Sequence, residues 1–171
     1  MNTVEQSIDV EVPVHVAYNQ WTQFKTFPRF MDGVKRVEQT QAALTHWVMR
    51  FGGRTVEFDA EIVEQVPDRL LRWEALDPPR HTGTVSFESL GDDRCRVTLR
   101  LEATGTPRLR DRLGSALGLV TRWAEGSLRC FKEFVEGQGR ETGHWRGEIS
   151  GSHVRPGTHH HKPQVPTWPI G

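Results

Sequence analysis

Through most of the first hundred residues apolar side chains recur at every second position, the spacing of strands that bury one face in an antiparallel sheet. Val4, Gln6, Ile8, Val10 and Val12 share one face of a first strand. Pro13 then stands where a helix can begin, because its missing N–H is one that a first helical turn leaves unbonded. Val14, Ala17 and Trp21 follow at helical spacing, and Phe24, Phe27 and Phe30 mark a second short helical piece. Six further strands are predicted over 33–40, 44–51, 54–64, 69–76, 81–90 and 94–103, with turn signals such as Gly52-Gly53 and Gly91-Asp92-Asp93 between them. Their inward sets are Trp47, Met49 and Phe51; Val56, Phe58, Ala60 and Ile62; Leu71, Trp73 and Ala75; and Cys95, Val97, Leu99 and Leu101.

Beyond Pro107 the period changes. Leu109, Leu113, Ala116, Leu117, Val120, Ala124, Leu128, Phe131 and Phe134 form one stripe of a helix about 30 residues, or roughly 45 Å, long. The order predicts an α+β fold: a curved antiparallel sheet of about seven strands wrapped around a long C-terminal helix, with two short helices after the first strand. Small residues on the helix (Gly114, Ala116, Gly118, Ala124) leave room beside it, so a hydrophobic cavity is expected. Parity points Trp47, Phe58, Trp73 and Phe87 into that space; Trp21, Phe27 and Phe30 close one end, and Leu117 and Val120 face it from the helix.

Composition narrows the function classes. The 171 residues carry 22 basic and 22 acidic side chains, so nothing drives the chain toward nucleic acid. Apolar runs are too short to span a bilayer, and Met1–Gln6 lacks the basic start and apolar stretch of a signal peptide, so a cytoplasmic protein is expected, peripheral membrane contact remaining open. After residue 136 the chain turns rich in glycine, proline and histidine and loses its hydrophobic period; residues 1–136 are read as the domain and 137–171 as a disordered tail whose protein partner is unknown. Cys95 and Cys130 are read as reduced thiols.

Candidate chemistry is sparse. Glu57, Asp59 and Glu61 alternate onto the solvent face, where Arg50, Arg72, Arg94, Arg96 and Arg100 also fall, so cross-strand charge pairing is the expected role. His81 shares inward parity with Gly83, Val85 and Phe87 and is the candidate acid/base, although Pro78-Pro79 just before it leaves the strand start open, and no second inward acid or base accompanies it. His153 and His159-His160-His161 lack the spacing of a closed metal site, so no metal is assigned. Neither a phosphate loop nor a dinucleotide fingerprint occurs, and no cofactor is expected.

Val10-Glu-Val-Pro13 to Trp21, Phe27-Pro28-Arg-Phe30-Met, Thr45-His-Trp47, Gly52-Gly53, Phe58-Asp-Ala-Glu-Ile62, Val66-Pro67-Asp, Trp73, Gly83-x-Val-x-Phe87 and Arg94-x-Arg-Val-Thr-Leu together resemble the polyketide cyclase/dehydrase and lipid-transport family. That family belongs to the START-related helix-grip superfamily, which also holds coenzyme Q-binding proteins. The resemblance covers residues 3–136 and implies a deep cavity under the C-terminal helix without fixing a reaction. Three functions follow as expectations: binding of a hydrophobic small molecule such as a lipid, quinone or polyketide; a polyketide aromatase/cyclase or dehydratase using His81; and a protein-interaction module acting through the tail.

Overall fold

In a computed structural model, residues 3–51, 53–78, 80–104, 117–138, 141–151 and 153–155 are described. Seven strands, β1 (Thr3–Val10), β2 (Val34–Gln41), β3 (Leu44–Phe51), β4 (Arg54–Val66), β5 (Leu70–Ala75), β6 (His81–Gly91) and β7 (Arg94–Ala103), form an antiparallel sheet in the order β1-β7-β6-β5-β4-β3-β2. β1 is thus carried across to pair with β7, and every other pairing is with a sequence neighbour. Helix α1 (Val14–Trp21) and a 3₁₀ helix (Phe24–Arg29) join β1 to β2, and helix α2 (Leu117–Gln138) follows β7.

The inner face carries the alternation that the sequence shows: Phe58, Ala60 and Ile62 of β4, Leu71, Trp73 and Ala75 of β5, and Cys95, Val97 and Leu99 of β7 are all buried. Curvature is built in by irregularities in β2, in β4 between Ile62 and Glu64, and in β6 before Gly91. At Gly33 (φ +75°) a Cβ would stand 2.2 Å from the Arg50 carbonyl oxygen, so only glycine lets the chain enter β2 this close to β3.

α2 buries Ala124, Ser127, Leu128, Phe131 and Val135 as one stripe. It is held at both ends. Trp123 donates its indole N–H to the Asp32 carbonyl at 2.8 Å, while Lys132 donates to the Asp9 carbonyl and Glu136 accepts from the Glu11 N–H. The part of the expected helix that lies over 107–116 falls outside the described residues, as does the side chain of Leu117.

The expectation of a structureless tail from residue 137 needs correction. Two further strands, β8 (Glu148–Ser150) and β9 (His153–Arg155), raise the count to nine, and β8 pairs with the end of β4 at Glu64 and Gln65. The segment before β8 lies along α1. Asn19 donates to Glu141 and accepts from Arg146, the Gln20 side chain bonds Thr142 on both its amide atoms, and the Trp145 N–H donates to Thr22. The physical reason is polar satisfaction: Asn19, Gln20 and Thr22 are all buried, and buried amides without partners are costly. Ile149 adds a buried apolar anchor. Residues 156–171, with His159, His160 and His161, lie outside the described residues.

Candidate functional site

Two groups of aromatic side chains meet on the inner face. From the connection after β1, Trp21 packs edge to face on Phe27 and Phe30, which tilt against each other, with centroids 5.3 to 5.5 Å apart, and Phe131 of α2 closes onto Trp21 at 5.2 Å. From the sheet, Trp47 stacks on Phe58 at 5.8 Å and on Trp73 at 6.2 Å. Phe27 joins the two groups by touching Trp47 at 5.6 Å. One continuous aromatic wall therefore runs from α2 to the middle of the sheet.

The sheet half of the wall follows from register. Trp47 faces Phe58 across β3 and β4, Ile62 faces Trp73 across β4 and β5, and Trp73 faces Gly83 across β5 and β6. Gly83 is what allows the last pairing. A Cβ there would lie 2.0 to 2.5 Å from three atoms of the Trp73 indole, so the ring lies flat on bare backbone.

His81 is half-buried at the start of β6 and does face inward. Its Nε2 accepts the indole N–H of Trp73 at 3.3 Å, and its ring meets the edge of Phe58 at 5.2 Å. Acceptance at Nε2 places the proton of the neutral ring on Nδ1. Trp47 gives its own N–H to Thr45, whose hydroxyl donates to the Ala60 carbonyl, so this part of the wall is both apolar and rigidly bonded.

Phe87 is buried, but its ring contact is Tyr18 at 5.4 Å, four residues along β6 from Gly83 and so about 13 Å down the strand. Val120 is half-buried against the core. Leu117 opens α2.

Tyr18 is a residue the periodicity missed, though Val14 and Tyr18 stand at i and i+4. Its hydroxyl accepts from the buried Gln65 amide at 3.0 Å, and Arg146 lies over its ring. Burial pushes its phenol up to about 12, against the opposing Gln65 hydrogen bond.

On the outer face four of the five arginines expected there make ion pairs: Arg94 and Arg96 with Asp9, Arg94 also with Glu11, Arg72 with Glu64, and Arg100 with Glu5 and, within its own strand, Glu102. The acidic stripe differs. Asp59 and Glu57 take His46 between them, Nδ1 and Nε2 each 2.6 Å from a carboxylate oxygen, in place of an arginine. Those bonds, Asp59 first, hold the His46 imidazole above its ordinary pKa.

Among the described residues the buried polar side chains are Asn19, Gln20, Thr22, Thr45, Gln65 and Ser127, none of which ionises near neutral pH. No group of three His, Cys, Asp or Glu among them could hold a metal ion, and no described helix is long and apolar enough to cross a membrane. Cys95 is buried and Cys130 exposed, both as free thiols. This part of the inner face therefore offers aromatic surface and the imidazole of His81.

Comparison with known proteins bears on the family and the fold. The family model described as polyketide cyclase / dehydrase and lipid transport matches residues 10–129. A 17.2 kDa protein encoded between melC2 and rnhH in Streptomyces lincolnensis is 47% identical over 150 residues, 87% of this chain and 99% of that one. Among solved structures, the Zhui aromatase/cyclase from Streptomyces sp. R1128 superposes with a TM-score of 0.68 at 12% identity, over 81% of this chain and 95% of that one. A START superfamily protein from Mycobacterium smegmatis gives 0.63 at 11% identity, over 80% and 98%. At such identities the two structures establish a shared fold.

Proposed function

The chain belongs to the polyketide cyclase/dehydrase and lipid-transport family, and we propose that it binds a flat hydrophobic small molecule, a polyketide, quinone or lipid, against the aromatic wall between the sheet and α2. The observation that carries this reading is the stacked set Trp47, Phe58 and Trp73, joined through Phe27 to Trp21 and Phe30. Aromatic stacking adds about 0.5 to 1.5 kcal/mol per pair beyond area burial, and a flat ligand ring can use the same geometry. The absence of buried charged side chains among the described residues favours an uncharged ligand body, since an unpaired buried charge would be expensive. The test is extraction of the purified protein with organic solvent and mass spectrometry of what is released. A hydrophobic compound recovered in near-stoichiometric amount supports the reading; protein that releases nothing and takes up no polycyclic aromatic probe refutes it.

His81 supports a second reading, that the bound molecule is also turned over as in an aromatase/cyclase or dehydratase. Its imidazole touches both Trp73 and Phe58, so it stands where a ligand on the wall would lie. Holding a flexible poly-carbonyl chain in one conformation supplies much of such a reaction, and His81 would move the proton. In a reconstituted polyketide assay, His81→Ala should shift the product distribution; an unchanged distribution removes His81 from catalysis.

A further inference from the structure

Five of the six buried polar side chains among the described residues have hydrogen-bond partners: Asn19, Gln20, Thr22, Thr45 and Gln65. Ser127 does not. It stands in the buried stripe of α2 at 1% exposure, and its hydroxyl makes no bond, not even back to a carbonyl of its own helix. One turn further on is Phe131, and against Phe131 lies Trp21. Trp21 is also 1% exposed, and its indole N–H is likewise unpartnered. The contrast with Trp47, Trp73 and Trp123 is direct, because each of these gives its N–H to a named acceptor. The other two unpartnered atoms, Thr3 Oγ1 and Asp68 Oδ1, belong to the start of β1 and the turn after β4.

Two unpaired donors on facing elements, at the α2 end of the aromatic wall, are costly in an empty protein and useful in a filled one. We infer that Ser127 Oγ and Trp21 Nε1 are the polar anchors of the ligand site and that they recognise an acceptor oxygen, a ketone or quinone carbonyl, on an otherwise flat apolar molecule. The indole can only donate, so it demands an acceptor; the serine hydroxyl turns freely and can donate to the same group. The inference rests on the ligand-binding reading above and adds to it the chemistry and the position of the ligand's polar end. A site built this way favours the oxygenated molecule over its hydrocarbon analogue, because the hydrocarbon leaves both donors unpaired.

The test uses the full chain and a matched pair of three-ring probes that differ by one carbonyl, 9-fluorenone and fluorene, in equilibrium dialysis. The unsubstituted protein should hold fluorenone about tenfold more tightly than fluorene. Ser127→Ala should weaken fluorenone about three- to tenfold and leave fluorene unchanged, while Trp21→Phe, which keeps an aromatic ring among Phe27, Phe30 and Phe131 but shortens the wall, should weaken fluorenone by clearly more than it weakens fluorene. Equal loss for both probes, or no loss for fluorenone, overturns the anchor assignment while the binding reading stands. Failure of the unsubstituted protein to bind either probe refutes the binding reading and the anchors with it. A second readout needs no ligand: Ser127→Ala should leave thermal stability unchanged or raised, since it removes an unpaired hydroxyl and improves helix propensity. A clear drop in Tm would show that the hydroxyl is already satisfied in the empty protein and would overturn the assignment.

Discussion

Replacing Gly83 with alanine perturbs the aromatic wall through one methyl group. The added Cβ would lie 2.0 Å from Cζ2, 2.1 Å from Cε2 and 2.5 Å from Cη2 of Trp73, whereas carbon atoms rest at about 3.5 to 4 Å. The indole must therefore retreat by about 1.5 Å or change rotamer, and since Gly83 belongs to the buried inner face of β6, the ring is what moves. Two interactions go with it: the stack on Trp47 and the N–H bond to His81. Overpacking of a well-filled interior costs about 1 to 3 kcal/mol, and loss of the stack about 0.5 to 1.5 kcal/mol more. Gly83→Ala should thus lose about 1.5 to 4.5 kcal/mol in urea unfolding and alter the near-ultraviolet circular dichroism that the coupled Trp47 and Trp73 rings produce. It should also weaken a polycyclic aromatic probe, because the Trp73 ring that such a probe would stack on has moved. A variant within about 0.5 kcal/mol of the parent, with an unchanged aromatic spectrum, would refute the placement of Trp73 over Gly83.

Three shorter predictions concern titration and reactivity. The only tyrosine in the chain is Tyr18, whose phenol burial pushes up to about 12, while in the unfolded chain it ionises near about pH 10. Its contribution to stability is therefore present below about pH 10 and lost as pH rises toward about 12, and tyrosinate absorbance should appear together with unfolding; a full tyrosinate signal at about pH 10 in folded protein would contradict the buried phenol. His46, held above its ordinary value by Asp59 and Glu57, stabilises the fold below its unfolded pKa and loses that contribution as pH rises through the raised folded value. Tm should fall between about pH 6 and about pH 9 by more in the parent than in His46→Gln, and identical pH profiles would remove the pairing from the stability of the sheet. Burial pushes the Cys95 thiol up to about 11, so an alkylating reagent should label exposed Cys130 in the native protein and reach Cys95 only on unfolding; labelling of both at equal rates would be inconsistent with the buried β7 position.

The sheet was legible because its code is local. A strand with one buried face writes its alternation into consecutive residues, and Phe58, Ala60 and Ile62 or Leu71, Trp73 and Ala75 can be read with no knowledge of what lies opposite. The inward turn of His81 came from the same parity. Register was legible in principle too. Phe51 pairs with Arg54 at the end of the hairpin, and counting five residues away from that pair along each strand brings His46 opposite Asp59. Parity alone had placed the acidic stripe outside and paired it with arginine, and only this count identifies the histidine.

What remained hidden depends on contacts between residues far apart in the chain. Asn19 and Gln20 look like the solvent face of a short helix until partners arrive from Glu141, Thr142 and Arg146, more than 120 residues later. A three-residue strand such as Glu148–Ser150 is too short to display a period, and the glycines around it imitate a linker. Ser127 was invisible for a related reason: hydrophobic periodicity scores apolar positions, so a polar residue inside the stripe between Ala124 and Phe131 reads as a gap. That gap is informative. The same chain satisfies the amides of α1 with a segment recruited from its far end and leaves a hydroxyl and an indole N–H unpaired beside its aromatic wall, and a ligand oxygen is the partner inferred for those two donors.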